Sequence, residues 1–521
     1  MSGHQDLRIG VDVGGTNTDA VILDADDRLL AKTKQLTTTD VTGGITRALE
    51  AVLQTPGIDR GRITHVMLGT THATNAVIER RRLRRVATVR IGAPSTNAIR
   101  PLFTWPADLR ETVSAGEVVI GGGIEFDGRE IVPLDEQALA RFLEPLAGTI
   151  DGVAITSVFA SVSERHELAA EQVARRVLGD GVHISLSHEI GSLGLLEREN
   201  ATVLNAALVG VAADVAGTLD GALETLGLRA ATFFAQNDGT LMALEYALRY
   251  PVLTIGSGPA NSIRGAAFLS GADDALVIDV GGTSTDVGVL VNGFPRESSS
   301  AVEIGGIRTN FRMPDLVAIA VGGGSVLAAH PGGATVGPGS VGHHLPERAL
   351  VFGGDTPTLT DAAVHAGRAR IGSAAPEPRF DELLRAGLAV ADERFAEAVD
   401  MVKTARGDRP LIVVGGGGVL VPEDLPGVSE MIRPPHHDVA NAVGAAIASV
   451  SAQVDRVFNI GPGGREAMLE EATRQAQEQT VRAGASADEV EIVEIEELPL
   501  AYLNVPAVRV RVKAAGPLSS V

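Results

Sequence analysis

The segment Ile9-Gly-Val-Asp-Val-Gly-Gly-Thr-Asn-Thr-Asp-Ala-Val-Ile-Leu23 constrains this chain more than any other, because it occurs twice. Val277-Ile-Asp-Val-Gly-Gly-Thr-Ser-Thr-Asp-Val-Gly-Val-Leu290 repeats it, and from Asp12 to Asp19 and Asp279 to Asp286 the copies differ only where Asn17 becomes Ser284. Each reads as strand, tight turn, strand; Asp24-Ala-Asp-Asp27 marks the reversal after the first copy and Asn292-Gly293 the one after the second. Glycines at the tip let backbone N–H groups approach a ligand that a Cβ would hold away. Gly14, Gly15, Thr16, Asn17 and Thr18 form an anion-binding concavity suited to phosphate, and Gly281, Gly282, Thr283, Ser284 and Thr285 form its twin. Asp12 and Asp279 accept hydrogen bonds only, so beside phosphate they imply a cation between them, with Mg²⁺ the natural choice. One Gly-Gly hairpin is ordinary punctuation. Two far apart predict a duplicated α/β fold offering a phosphate hairpin from each half to a shared cleft.

Composition narrows the chemistry. The chain has 521 residues, enough for two or three domains, with 45% hydrophobic and 21% charged residues, the balance of a globular protein. A net charge of −21 argues against general nucleic-acid binding and offers no basic face to an anionic membrane. Cysteine is absent, which excludes disulfides, thiolate metal sites and cysteine nucleophiles, and fits a cytoplasmic location. The start, Met-Ser-Gly-His-Gln-Asp, has no basic or apolar leader pattern, and no apolar run reads as long enough to span a bilayer.

Helical spacing over Ile45–Leu53 follows the first hairpin, then a buried strand from His65 to Gly69. Gly69-Thr-Thr-His-Ala-Thr-Asn-Ala-Val-Ile-Glu-Arg80 places hydroxyls and an amide at a strand end, with a helix expected from Ala76 to Arg84. Thr74 and Asn75 cap that helix in the plainer reading; in the other they form a third polar wall of the cleft. Alternating strand and helix signals continue to about Gly181. Glu197, Arg198 and Glu199 read as the solvated first turn of a long apolar helix, Ala201–Leu226. Two later strands run into glycines, at Gly322, Gly323 and Gly324 and at Gly415, Gly416 and Gly417, where a flat adenosine can lie against backbone. The boundaries expected are 1–182 for a first lobe, 183–453 for a second and 454–521 for a small appended α+β unit.

Paired Asp-x-Gly-Gly-Thr hairpins, a strand followed by Gly-Gly-Gly and the helix Val443-Gly-Ala-Ala-Ile447 resemble the actin, sugar kinase and heat-shock chaperone ATPase superfamily. In finer wording the chain resembles the hydantoinase/oxoprolinase A-subunit family at Asp12–Asp19, Gly69–Arg80, Ser257-Gly-Pro-Ala260, Gly281–Asp286, Gly322–Ser325 and Thr358-Leu-Thr-Asp361. It departs from that pattern at His343-His-Leu-Pro346. The resemblance implies a duplicated actin-like, ribonuclease H-like fold with ATP between two lobes and Mg²⁺ held by Asp12 and Asp279. It implies phosphorylation of a cyclic amide such as a hydantoin or 5-oxoproline, so that water can open the ring, with a B-type partner subunit. Asp12, Asp279, Thr16 and Thr283 are the catalytic candidates. A small-molecule kinase and a chaperone-like reactivating factor are the rival readings.

Histidines complete the candidates. His72, inside the threonine-rich segment, is a potential acid or base, or a hydrogen-bonded residue lining the cleft. His343-His344 and His436-His437-Asp438 carry metal-ligand chemistry but sit adjacent in Pro/Gly loops, a poor geometry for sharing one ion.

Overall fold

The computed structural model describes residues 6–37, 41–191, 193–298, 301–311, 313–460, 464–500 and 507–519. The reading of the N-terminal leader falls on residues 1–5, outside the described residues.

Apolar alternation in the first hairpin produces β1 (Leu7–Val13) and β2 (Asn17–Leu23), paired antiparallel with Asp12 opposite Asp19. β3 (Leu29–Leu36) continues the meander, and β4 (Ile63–Thr70) joins the other side of β1 in parallel. β5 (Val86–Ala93), β6 (Ser114–Gly121), β7 (Gly152–Ser157) and β8 (His183–Leu186) form a separate parallel sheet in the order β6-β5-β7-β8. After the long helix Leu195–Leu226 the chain returns to the first sheet with β9 (Ala231–Ala235) and β10 (Leu241–Ala243). β11 (Ala275–Val280) and β12 (Thr285–Val291) are the second hairpin, with Asp279 opposite Asp286. Leu316–Ile319 pairs antiparallel with β12, while Arg409–Val414 joins β11 and Val428–Ile432 joins that strand, both in parallel.

The expected duplication is visible in this topology. In each large sheet a three-stranded antiparallel meander is continued by parallel strands on its far side, with the hairpin at the same place. The repeated sequence therefore specifies a repeated supersecondary unit, the mark of the actin-like fold.

The sheets do not follow chain order across residues 182 and 453. β9 and β10 lie within 183–453 yet belong to the first sheet, and the tail strands Val450–Asn459, Ala507–Gly516 and Glu491–Pro499 extend that sheet to nine. The reason is physical: β10 would otherwise leave unpaired backbone groups at an edge, and Val450–Asn459 covers it and is covered in turn along its length by Ala507–Gly516. Helix Gly464–Arg482 packs on these strands through Met468, Ala472 and Ala476.

Two helices join the sheets. Ser257–Ser270 packs on the second sheet through Ile263 and Ala266, and Ala440–Ile447 packs on the first through Ala442, Val443 and Ala446. They cross backbone to backbone: a Cβ on Gly444 would lie 1.9 Å from the Asn261 carbonyl oxygen, and one on Gly265 1.9 Å from that of Ala440. Only glycine permits that approach.

Two further expectations change. The long helix begins at Leu195, and Arg198 and Glu199 are buried rather than solvated. Glu199 forms a two-pronged pair with Arg90 at 2.7 and 2.6 Å, both side chains fully enclosed. The same helix is long and apolar enough to cross a membrane, against the expectation that no such run exists, but two-thirds of its most apolar window is buried inside the protein, as in a core helix.

Candidate functional site

Both hairpins close alike: the Gly14 N–H donates to the Asn17 carbonyl at 3.0 Å and the Gly281 N–H to the Ser284 carbonyl at 2.9 Å. Their tips meet. A Cβ on Gly282 would lie 2.7 Å from the Thr16 hydroxyl, so the first hairpin's threonine rests on the second hairpin's glycine backbone. Gly15 is exposed and a Cβ there would enter open space, a cradle that glycine leaves clear. Thr283 and Ser284 are exposed at the second tip, and Asn17 is half-buried at the first.

The aspartates beneath the tips converge. Ser262, on the 257–270 helix, donates to Asp279 Oδ2 at 2.5 Å. Asn441, on the 440–447 helix, donates to Asp12 Oδ2 at 3.4 Å. The two crossing helices thus bring one polar side chain each to a pair of aspartates from opposite lobes. Lys34 on β3 holds both oxygens of Asp19, at 2.7 and 2.6 Å, with its ammonium beside Gly416.

The electrostatics are those of crowded acids. Burial, then the charge of Asp19, pushes Asp12 up to about 7; Asn441 and Lys34 pull against this and Asp279 adds to it. Burial and the charge of Asp279 push Asp286 to about 7. Burial also raises Asp19 and Asp279, although Lys34 opposes it at both and Ser262 at Asp279.

Asp12 Oδ1 is buried and has no hydrogen-bond partner among the described residues, and neither polar atom of Asn261 has one there. Asp12 Oδ1 and Asn261 Nδ2 both lie within 2.5 Å of where a Gly69 Cβ would sit. Orphaned buried oxygens of this kind fit a hydrated cation. Among the described residues no cluster of three or more acidic or histidine side chains could hold a metal without further ligands.

Several expected site residues are elsewhere. Thr18 and Thr285 are buried: the Thr18 hydroxyl lies 3.3 Å from that of Thr37, and the Thr285 hydroxyl donates to the Val321 carbonyl at 2.6 Å. Strand alternation turns both away from the tips. Gly322, Gly323 and Gly324 are buried behind the second hairpin, where the N–H groups of Gly323 and Gly324 donate to the Gly281 and Gly282 carbonyls. Those two bonds brace the hairpin. Of the other glycine run, Gly415 packs against Asp279 and the Gly417 N–H donates to Val280, leaving Gly416 exposed.

His72 begins the helix His72–Glu79, which starts earlier than expected and has no side-chain cap, so Thr74 and Asn75 lie inside it. The imidazole lines a cavity of about 20 Å³ with Thr70, Leu208, Val211 and Phe234, to which neither hairpin contributes. Burial, then the Arg82 charge, pushes it down to about 4, which leaves it neutral near pH 7. Among the described residues neither expected histidine pair belongs to a group of three or more acidic or histidine side chains that could hold a metal; His344 pairs with Glu347, and Asp438 with Lys32.

The sequence reading missed Lys34, Asn261, Ser262 and Asn441. Lys34 had a signal, since β3 alternates toward the face of β2 that carries Asp19. The other three had none, because they meet the aspartates only where helices distant in sequence cross.

Two profiles of one family match this chain, the hydantoinase/oxoprolinase N-terminal region over residues 8–178 and hydantoinase/oxoprolinase over residues 198–374. The chain belongs to the hydantoinase/oxoprolinase family. Within that family it is 28% identical to the caprolactamase subunit alpha of Pseudomonas jessenii over 69% of this chain and 54% of that one. It is 25% identical to the acetophenone carboxylase gamma subunit of Aromatoleum aromaticum over 85% of this chain and 68% of the relative. The chain therefore spans about half the length of the caprolactamase subunit. The crystal structure of the ATP-dependent caprolactamase from P. jessenii shares its fold, with a TM-score of 0.73 over 98% of this chain and 88% of that one at 21% identity. The first match spans the first hairpin and the second match spans the second, while Gly415–Gly417 and Asn441 lie beyond residue 374.

Proposed function

We propose that this chain binds ATP with Mg²⁺ between its two hairpins and transfers the terminal phosphoryl group to the amide oxygen of a small cyclic amide. The activated amide is then opened by water. The observation that carries this reading is the pairing of two near-identical Gly-Gly-Thr tips in contact above Asp12 and Asp279.

Phosphoryl transfer asks a protein for positioning and charge neutralisation more than for covalent chemistry. The tip N–H groups of Gly15 and Gly282, with Thr16 and Thr283, receive phosphate oxygens. Asp12 and Asp279 would hold Mg²⁺, which when bound neutralises phosphate charge and orients the reacting group. Lys34 adds a fixed positive charge beside Gly416, and that exposed glycine leaves room for a flat base. Phosphorylation turns a resonance-stabilised amide carbonyl into an electrophile that water can attack.

The relatives' names describe subunits, one of a caprolactamase and one of a carboxylase, which supports action within a larger assembly. The assembly proposed is this chain with a B-type hydantoinase/oxoprolinase subunit that closes the cleft against bulk water. The test is to purify the chain with and without its genetic neighbour, then follow ADP formation and ring opening of hydantoin, 5-oxoproline and caprolactam together. Substrate-dependent ADP formation with ring-opened acid, dependent on both chains, is expected. Ring opening at ordinary enzyme rates by the isolated chain would refute the two-subunit assignment. A stable phosphorylated product would identify a kinase, and ATP turnover indifferent to every amide a reactivating factor.

A further inference from the structure

Asn261 and Ser262 stand side by side in the 257–270 helix, both buried. Ser262 serves one aspartate, its hydroxyl donating to Asp279 Oδ2 at 2.5 Å. Asn261 faces the other. Its Nδ2 lies 2.4 Å from where a Cβ on Gly69 would sit, and Asp12 Oδ1 lies 2.5 Å from that same point. The two atoms are therefore no farther apart than a single water can bridge. They are also matched in kind, since an amide N–H donates and a carboxylate oxygen accepts. Yet neither has a hydrogen-bond partner among the described residues, and Asn261 Oδ1 has none there either.

The duplicated hairpin offers a comparison within the same molecule. Each aspartate turns Oδ1 onto a glycine near the end of the adjacent parallel strand, Asp12 onto Gly69 and Asp279 onto Gly415, where a Cβ would lie 2.5 and 2.2 Å away. At the second hairpin the helix completes the arrangement with the direct bond from Ser262. At the first, the asparagine stops short. Burying an unbonded amide is costly, and leucine would fill the position with the same branching at no such cost. The polarity of Asn261 is thus unused by the contacts that hold the fold. Its backbone is fixed, because a Cβ on Gly444 would lie 1.9 Å from the Asn261 carbonyl oxygen where the two helices cross.

We propose that Asn261 is a positioning residue for the cation: joined to Asp12 Oδ1 through one water beside Gly69, it orients the carboxylate that receives the ion. This inference rests on the Asp12–Asp279 cation site of the reading above. Asn441, from the other crossing helix, donates to Oδ2 at 3.4 Å, so each asparagine steadies one oxygen of the same carboxylate. A neutral amide suits that task. It orients Asp12 without cancelling the charge that attracts a cation, whereas Lys34 neutralises Asp19 by holding both of its oxygens. Carboxylates that ligate a metal depend on such outer hydrogen bonds for their geometry.

The experiment titrates Mn²⁺ into the full chain without nucleotide, following the free ion by electron paramagnetic resonance. Binding that Asp12→Asn abolishes is counted as binding at the site. We expect Asn261→Leu to weaken this site about 10–100-fold, the usual effect of losing an outer partner of a metal ligand. In EDTA the same variant should resist denaturant at least as well as the wild type, because it removes an unbonded buried amide. Asn261→Ser keeps a hydroxyl for the water and should bind Mn²⁺ more tightly than Asn261→Leu. Gly69→Ala places a methyl where the two atoms approach and should weaken the site as well. Unchanged affinity in Asn261→Leu, or a serine variant as weak as the leucine one, would overturn the proposal. So would a loss of affinity matched by a loss of stability in EDTA, the signature of a merely structural role. If Asn261→Leu does not fold, wild-type affinity in both Asn261→Ser and Gly69→Ala overturns the proposal. Mn²⁺ binding that Asp12→Asn leaves intact would instead place the failure in the cation site itself, and this inference would fall with it.

Discussion

Replacing Asp12 with asparagine should make the empty protein more stable while disabling it. Asp12 is 4% exposed, and with Asp19 and Asp279 nearby its carboxyl is pushed from 3.8 up to about 7. A raised folded pKa in an acid is a stability cost that is fully present above pH 7, shrinks as pH falls below it and vanishes below the unfolded value. Roughly three units at 1.36 kcal/mol each make that cost about 4 kcal/mol at pH 8. Asparagine removes the charge with little change in volume and keeps an oxygen for Asn441. Denaturant unfolding in EDTA without nucleotide should therefore show Asp12→Asn more stable by several kcal/mol at pH 8, with less than half of that gain left at pH 5. The same variant should lose the thermal stabilisation that Mg-ATP gives the wild type. Equal stability of the two proteins at pH 8, or a gain that does not shrink toward pH 5, would refute the picture of a frustrated carboxylate awaiting a cation.

Other perturbations follow the same geometry. Asp279→Asn should lower ATP turnover at least tenfold, about 1.4 kcal/mol in activation free energy, with an intact circular dichroism spectrum; near-wild-type turnover would reduce the second hairpin to scaffold. Arg90→Met strands a fully buried Glu199 and should cost about 3–5 kcal/mol in chemical denaturation. Asp238, bound to Lys513 at 2.7 Å, is desolvated, but that lysine's charge and hydrogen bond hold it down at about 2. Its contribution, about 2 kcal/mol, is present above pH 4 and lost as pH falls through 2, so Asp238→Asn should lower the melting temperature at pH 7 and converge with wild type near pH 2. Gly444→Ala drives a methyl into the Asn261 carbonyl and should destabilise the crossing of the two helices, read as a lower melting temperature and weaker nucleotide binding.

The hairpins, their duplication and the positions of Asp12 and Asp279 could be read from the sequence because each is local: adjacent strands, a glycine tip and an aspartate at fixed spacing. The pairing of Asp12 with Asp19, and of Asp279 with Asp286, follows from the same spacing once a hairpin forms. Strand alternation also turned Thr18 and Thr285 inward, a consequence available in the sequence but outweighed there by the attraction of a hydroxyl-rich tip.

What only tertiary structure decided depends on contacts between distant segments. Asn261, Ser262 and Asn441 reach the aspartates because two helices cross closely enough that glycine is required at the contact. Gly322–Gly324 look in sequence like the other glycine run, yet the second hairpin lies over them and engages their N–H groups. Arg198 and Glu199 look like a charged first turn, and partners on β7, β5 and the residues after β8 take them inside. The tail reads as a separate unit because strand patterns carry no address; the open edge at β10 supplies one. Local spacing determined the chemistry this protein can present, and the burial of backbone and charge across long sequence separations decided which residues present it.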